Sequence, residues 1–172
     1  FEHSYEILDK FKKNVAIEKP ISLKIEHVKK LFKKSKDNKL KVFPIFQNRY
    51  NKAVLKVKES IDKKLLGKIN IVSLRLRWCR PQRYYDMSEW RGTFSHDGGA
   101  LTNQGIHYID LIKFLAGKPV STFCKMDTFG AEIEVEDTAL GLVKFKNKIL
   151  ANVEVTTSTR PDDIEASISI LG

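Results

Sequence analysis

Apolar residues fall into two rhythms along the chain, and the change comes near Gly67. Before it, apolar positions recur at helical spacing between short extended runs. Residues 4–12 predict a helix with Tyr5, Leu8 and Phe11 in one stripe. Asn14 to Ile17 predict a short strand that runs into Glu18-Lys19-Pro20. Ser22 reads as the N-cap of a helix reaching about Lys36, with Glu26 placed to compensate the first turn. Asp37-Asn38 ends that helix, and Lys41 to Phe46 reads as a second strand. Alternating helices and strands are the pattern of a parallel α/β sheet, but two strands cannot make a doubly wound domain by themselves.

A further helix is predicted from about Asn51 to Leu65, with Val54, Val57, Ile61 and Leu65 on one face. Beyond Gly67 the period drops to two. Ile69, Val72, Leu74, Leu76 and Trp78 share a strand whose Arg75 and Arg77 face away. Residues 80–98 form a long polar and aromatic loop, a length at which loops commonly carry function. A helix follows from Leu101 to Leu115, stopped by Gly117 and Pro119. Strand signals then come in succession: Val120–Asp127, Thr138 to Thr157 interrupted by a Lys146-Asn147-Lys148 turn, and Ile164–Leu171. Strand after strand with tight turns predicts a largely antiparallel open sheet. The expected fold is an α/β remnant over 1–46 followed by an α+β domain over 47–172. The abrupt start and a last strand without a closing element lead us to expect a stretch of something larger.

Composition narrows the class. The chain has 172 residues and is 42% hydrophobic, which is enough for a core and argues against disorder. No apolar run approaches the ~20 residues that span a bilayer. Cys79 and Cys124 have no zinc-ligand spacing, and Phe1-Glu2-His3 has no signal-peptide pattern, so a reduced cytoplasmic protein is expected. The net charge of +10 is uneven: residues 1–70 carry 19 basic and 8 acidic side chains, residues 71–172 carry 12 and 13. Lys29, Lys30, Lys33, Lys34 and Lys36 fall opposite Ile25, Val28, Leu31 and Phe32, as on a solvated helix face. No nucleic-acid partner is expected from such a pattern.

Two strings carry candidate chemistry. Glu18-Lys19-Pro20 stands at the C-terminal end of a presumed parallel strand, where open α/β sheets bind ligands. A lysine there can meet a substrate hydroxyl, and the proline permits a cis peptide. The other string is Gly98-Gly99-Ala100-Leu101-Thr102-Asn103-Gln104-Gly105-Ile106-His107-Tyr108-Ile109-Asp110. Its paired glycines allow close approach of a ligand to a helix N-terminus, and Asn103, His107 and Asp110 fall on one face of a continuous helix. His107 could take a hydroxyl proton near neutral pH. His3, His27 and His96 are dispersed, so no metal site is expected. Arg49, Tyr84 and Tyr85 are candidates, by side-chain chemistry, for holding an anionic or nucleotide-linked substrate.

Taken in order, E-K-P, Phe46-Gln47-Asn48-Arg49-Tyr50, Trp90-Arg91 and G-G-A-L-x-N-Q-G-I-H-x-I-D resemble the Gfo/Idh/MocA family of NAD(P)-dependent oxidoreductases. Arg77-Trp78, Tyr84-Tyr85-Asp86, Trp90-Arg91-Gly92 and Thr157 through Arg160-Pro161 look most like its bacterial WlbA/WbpB branch, the UDP-N-acetyl-glucosaminuronate 3-dehydrogenases of surface-polysaccharide biosynthesis. The resemblance implies a Rossmann remnant over 1–46 and a substrate and oligomerisation domain over 47–172. It implies a nicotinamide cofactor (NAD or NADP), a sugar or nucleotide-sugar substrate, and a homodimer or homotetramer built through the sheet. It assigns Lys19 and His107 to catalysis, Glu18, Lys19, Trp90 and Arg91 to the cofactor side, and Asn103 to substrate orientation. Many members have Asp at the Asn103 position, so a Lys19/His107 pair without that carboxylate is expected. No G-x-G-x-x-G occurs in the chain, whose first glycine is Gly67. The expected alternative to an enzyme is a binding or assembly module on the same fold.

Overall fold

The computed structural model describes residues 1–172, which divide into two compact units, Phe1–Phe46 and Gln47–Gly172. In the first unit, helix α1 (Glu2–Asp9) leads to strand β1 (Val15–Ile17), helix α2 (Ile25–Asp37) and strand β2 (Val42–Pro44). β1 and β2 pair in parallel, Val15 opposite Val42 and Ile17 opposite Pro44. Leu8, Val15 and Leu31 form the small buried core.

Several local expectations shift. α1 stops at Asp9, so Phe11 leaves the stripe and stands 63% exposed. Ser22 does not cap α2, because its hydroxyl accepts from the Lys24 amide in a local turn and the helix begins only at Ile25. On α2 the buried stripe is Leu31 and Ser35, while Ile25 and Phe32 are exposed. Lys34 is drawn off the solvated face: its Nζ donates to Asp9 at 2.9 Å and lies over the Tyr5 ring.

The second unit opens with a short 3₁₀ turn (Gln47–Tyr50) and helix α3 (Lys52–Asp62). The Asn51 side chain caps α3 by accepting from the Ala53 amide. α3 ends three residues before Leu65, which is 70% exposed instead of sharing the apolar face. Strand β3 (Ile71–Arg77) follows, then the short helix α4 (Gln82–Asp86) inside what the sequence reads as plain loop. Helices α5 (Gly99–Asn103) and α6 (Ile106–Ala116) precede strands β4 (Pro119–Asp127), β5 (Thr138–Phe145), β6 (Leu150–Thr156) and β7 (Glu165–Leu171).

The five strands order as β4-β5-β6-β3-β7. Only β3–β6 is parallel; the other three pairings are antiparallel. Alternation along β3 buries Val72, Leu74 and Leu76 completely, and Val153, Val155 and Ala151 of β6 join them. Ile112 and Ala116 of α6 and Ala100 of α5 belong to the same cluster. Each fully buried Val or Leu contributes about 1.5–3 kcal/mol relative to exposure, so this face fixes the strand register. On the opposite face Arg77 forks onto Glu154, with Nε–Oε1 at 2.5 Å and Nη2–Oε2 at 3.1 Å. No helix is long and apolar enough to cross a membrane.

The predicted single helix from Leu101 to Leu115 is in fact two. The amides of Gln104 and Gly105 both donate to the Ala100 carbonyl, at 3.1 and 2.7 Å, so the hydrogen-bond ladder slips by one residue there. A side chain at Gly105 would crowd the Ala100 and Leu101 backbone at 3.2 Å, which is why this position takes glycine.

Candidate active site

Candidate residues lie in both units, and each unit is built separately. In the first, β1 delivers the chain to Glu18 and Lys19, and the Ile45 amide closes the strand end by donating to the Ile17 carbonyl at 2.9 Å. Glu18 is exposed and Lys19 half-buried, and the Lys19–Pro20 peptide is cis.

In the second unit the glycine pair serves the fold rather than a ligand. Gly98 and Gly99 both have positive φ, and a Cβ on Gly99 would collide with the Glu136 carboxylate. That carboxylate accepts from the Leu101 amide at 2.9 Å, and the Ala100 amide donates to the Glu136 carbonyl. The start of α5 is therefore occupied by the chain's own acid, which corrects the expectation of a ligand approaching there. Burial pushes the Glu136 carboxyl above its ordinary range, only partly offset by the Leu101 amide.

The three polar residues expected on one stripe fall on two helices, and Asn103 and Asp110 bond to different partners. Asn103 ends α5, and its Nδ2 donates to Asp97 Oδ1 at 2.5 Å. His107 lies in the first turn of α6, half-buried. Asp110, one turn further, turns to Arg49: Nε donates to Oδ2 at 2.6 Å and Nη2 to Oδ1 at 2.5 Å. The Arg49 guanidinium also lies over the Phe114 ring at 5.1 Å. The bidentate fork expected to hold a substrate anion is thus directed at a carboxylate of the same unit.

Tyr84, Trp90 and Arg91 do come together. The Arg91 guanidinium sits 4.2 Å from the Tyr84 ring centroid and 4.8 Å from that of Trp90. Its Nε is buried and makes no hydrogen bond within the chain. Arg80 approaches Tyr84 and Trp78, and Tyr84 lines an open crevice of about 820 Å³ with Arg80, Arg83 and Met87. Tyr85 points the other way. It is 7% exposed, its hydroxyl bonds Thr157 Oγ1 at 3.0 Å, and burial raises its pKa, so its place among substrate contacts is corrected to a core tyrosine. Sequence reasoning passed over Asp97 and Glu136; an acid directly before the glycine pair was the available signal for the first. No group of three or more His, Cys, Asp or Glu side chains is placed to hold a metal ion.

Comparison with known proteins places this arrangement. The family model described as GFO/IDH/MocA C-terminal domain matches residues 54–172. The WlbA dehydrogenase of Bordetella pertussis, solved in complex with NADH and UDP-GlcNAcA, superposes with a TM-score of 0.94 at 34% identity, covering 99% of this chain and 52% of that one. The WlbA enzyme of Chromobacterium violaceum, in the same type of complex, gives 0.94 at 37% identity over 99% and 49%. The myo-inositol 2-dehydrogenase of Thermotoga maritima is 24% identical over 152 residues, 84% of this chain and 42% of that protein. The chain spans about half the length of the relatives it matches.

Proposed function

Because this chain belongs to the Gfo/Idh/MocA family, we propose that its full-length gene product is an NAD(P)-dependent dehydrogenase that oxidises a secondary hydroxyl of a UDP-linked N-acetylated uronate, a step of polysaccharide biosynthesis. The observation that carries this reading is the likeness, at 34–37% identity over nearly the whole chain, to two enzymes solved with NADH and UDP-GlcNAcA. In it, residues 1–46 are the end of a Rossmann domain and 47–172 the substrate domain.

Fit to a nicotinamide dinucleotide can be judged from the residues present. The buried Nε of Arg91, clamped between Tyr84 and Trp90, suits an acceptor oxygen from outside the chain. No glycine-rich phosphate cradle lies within residues 1–172, so NAD and NADP are not distinguished by them. The nicotinamide, when bound, supplies the hydride acceptor. This chain supplies position and proton handling. Lys19 donates a hydrogen bond to the reacting hydroxyl oxygen, and His107 accepts its proton as the carbonyl forms. Asn103 and Tyr84 orient the sugar nucleotide, with Trp90 and Arg91 on the cofactor side and Glu18 beside Lys19.

A second copy of the chain would cover the outer sheet face, where Phe123, Leu140, Leu142, Leu150 and Ile71 stand 43–63% exposed. The reading is tested by following NADH formation from UDP-N-acetylglucosaminuronate with the full-length gene product. Lys19→Ala and His107→Ala should each lower kcat at least about a hundredfold, in the range general acid–base groups contribute. Unchanged turnover in both would remove them from the mechanism.

A further inference from the structure

One buried acid outside the proposed machinery holds two parts of it. Asp97 is 4% exposed and lies in a tight loop whose ends its own carboxylate ties together. Oδ2 accepts from the Gly92 amide at 2.7 Å, while Oδ1 accepts from Asn103 Nδ2 at 2.5 Å. The Asp97 and Gly98 amides both return to the Thr93 carbonyl, at 3.0 and 3.1 Å, so the backbone that carries the acid is held as well as its carboxylate. Gly92 is itself fixed: its φ is +71°, a Cβ there would press on Ile133, and its carbonyl accepts from the Glu134 amide.

We propose that Asp97 is a positioning residue that fixes the rotation of the Asn103 carboxamide and the path of the Trp90-Arg91-Gly92 segment through a single buried carboxylate. The chemistry is selective. A carboxylate only accepts, so the arm of Asn103 that meets it must be the NH₂ arm, and the carbonyl arm must point away. The Asn103 carboxamide is thereby held in one of its two rotations, with its NH₂ arm on Asp97. The same acid sets the residue next to Arg91. An Asp at 103 would bring two carboxylates to hydrogen-bond distance, where one of them has to hold a proton. The Asp97/Asn103 combination is therefore a matched acceptor–donor pair. This inference rests on the dehydrogenase reading above for what the pair positions.

The experiment uses the full-length gene product with Asp97→Asn, Asn103→Asp and the double exchange, assayed for kcat and KM against pH with the UDP-uronate and NAD. Asp97→Asn offers Asn103 a competing amide and should raise KM about tenfold or more by releasing the carboxamide rotation. Asn103→Asp should lose activity as pH rises, with a new limb in kcat/KM above the ordinary carboxylate range, because the second proton of the acid pair is then lost. The double exchange restores one donor facing one acceptor, so the limb should vanish and kcat/KM recover to at least tenfold above the Asn103→Asp value. A purely structural role would not create and remove an ionisation in this way. An active wild type whose Asn103→Asp profile matches its own, or a double variant no better than Asn103→Asp, overturns the positioning role alone. A wild type that neither oxidises nor binds the UDP-uronate overturns the dehydrogenase reading and this inference with it.

Discussion

Replacing Arg49 separates two accounts of that residue, because its fork is directed at Asp110 rather than left for a ligand. The Asp110 side chain is 7% exposed and that of Arg49 is 37% exposed. At an effective dielectric of about 20 and a charge separation of about 4 Å, the gross attraction is about 4 kcal/mol. Solvent reaches the guanidinium, so roughly half of that survives. Stranding a largely buried carboxylate adds to the loss, though less than the about 3–5 kcal/mol of a fully buried pair. Arg49→Met should therefore destabilise the substrate domain by about 2–3 kcal/mol. The assay is a double-mutant cycle by urea unfolding of the full-length gene product, with Arg49→Met, Asp110→Asn and both. The coupling energy should exceed about 1 kcal/mol, within the usual span for contacting residues. A coupling below about 0.5 kcal/mol together with a raised KM for the sugar nucleotide would refute this reasoning and return Arg49 to the substrate.

Two further outcomes follow from the geometry. Burial raises the Glu136 carboxyl, so over a pH window the folded protein holds a proton that the unfolded chain has lost. Stability from this group is then fullest at low pH and declines as pH rises from the ordinary glutamate range to the raised folded value. The difference in unfolding free energy between wild type and Glu136→Gln should show that decline, and a flat difference curve would contradict the burial argument. Leu142→Asp places a charge in the exposed apolar face of the sheet, 61% exposed in one copy. Light scattering should show a smaller assembly than wild type with the fold retained by circular dichroism, and an unchanged mass would argue against assembly through that face.

How far the sequence was readable depended on the range of the forces involved. Strand alternation is local, so Val72, Leu74 and Leu76 on one face and Arg75 and Arg77 on the other could be placed from spacing alone. The same holds for the stop at Gly117 and the Lys146-Asn147-Lys148 turn. The split between α5 and α6 could not be read that way. Gln104 and Gly105 look helical by pattern, and only the shared Ala100 carbonyl shifts the ladder and ends one helix at Asn103 before the next begins at Ile106. Tyr84 and Tyr85 are adjacent and chemically alike, yet one faces an open crevice and the other bonds Thr157.

By itself, then, the sequence determined the order of the strands and longer helices, the buried stripe of β3 and the strings that mark the family. These follow from side-chain period and backbone preference, which neighbours in the chain impose on one another. Tertiary structure alone decided which polar groups meet. Asp97 with Asn103 and Gly92, Glu136 with the start of α5, and Arg49 with Asp110 are pairings across 5 to 61 positions. The reason is that a buried polar atom must find a partner wherever packing has left one, and no local pattern in the chain records where that will be.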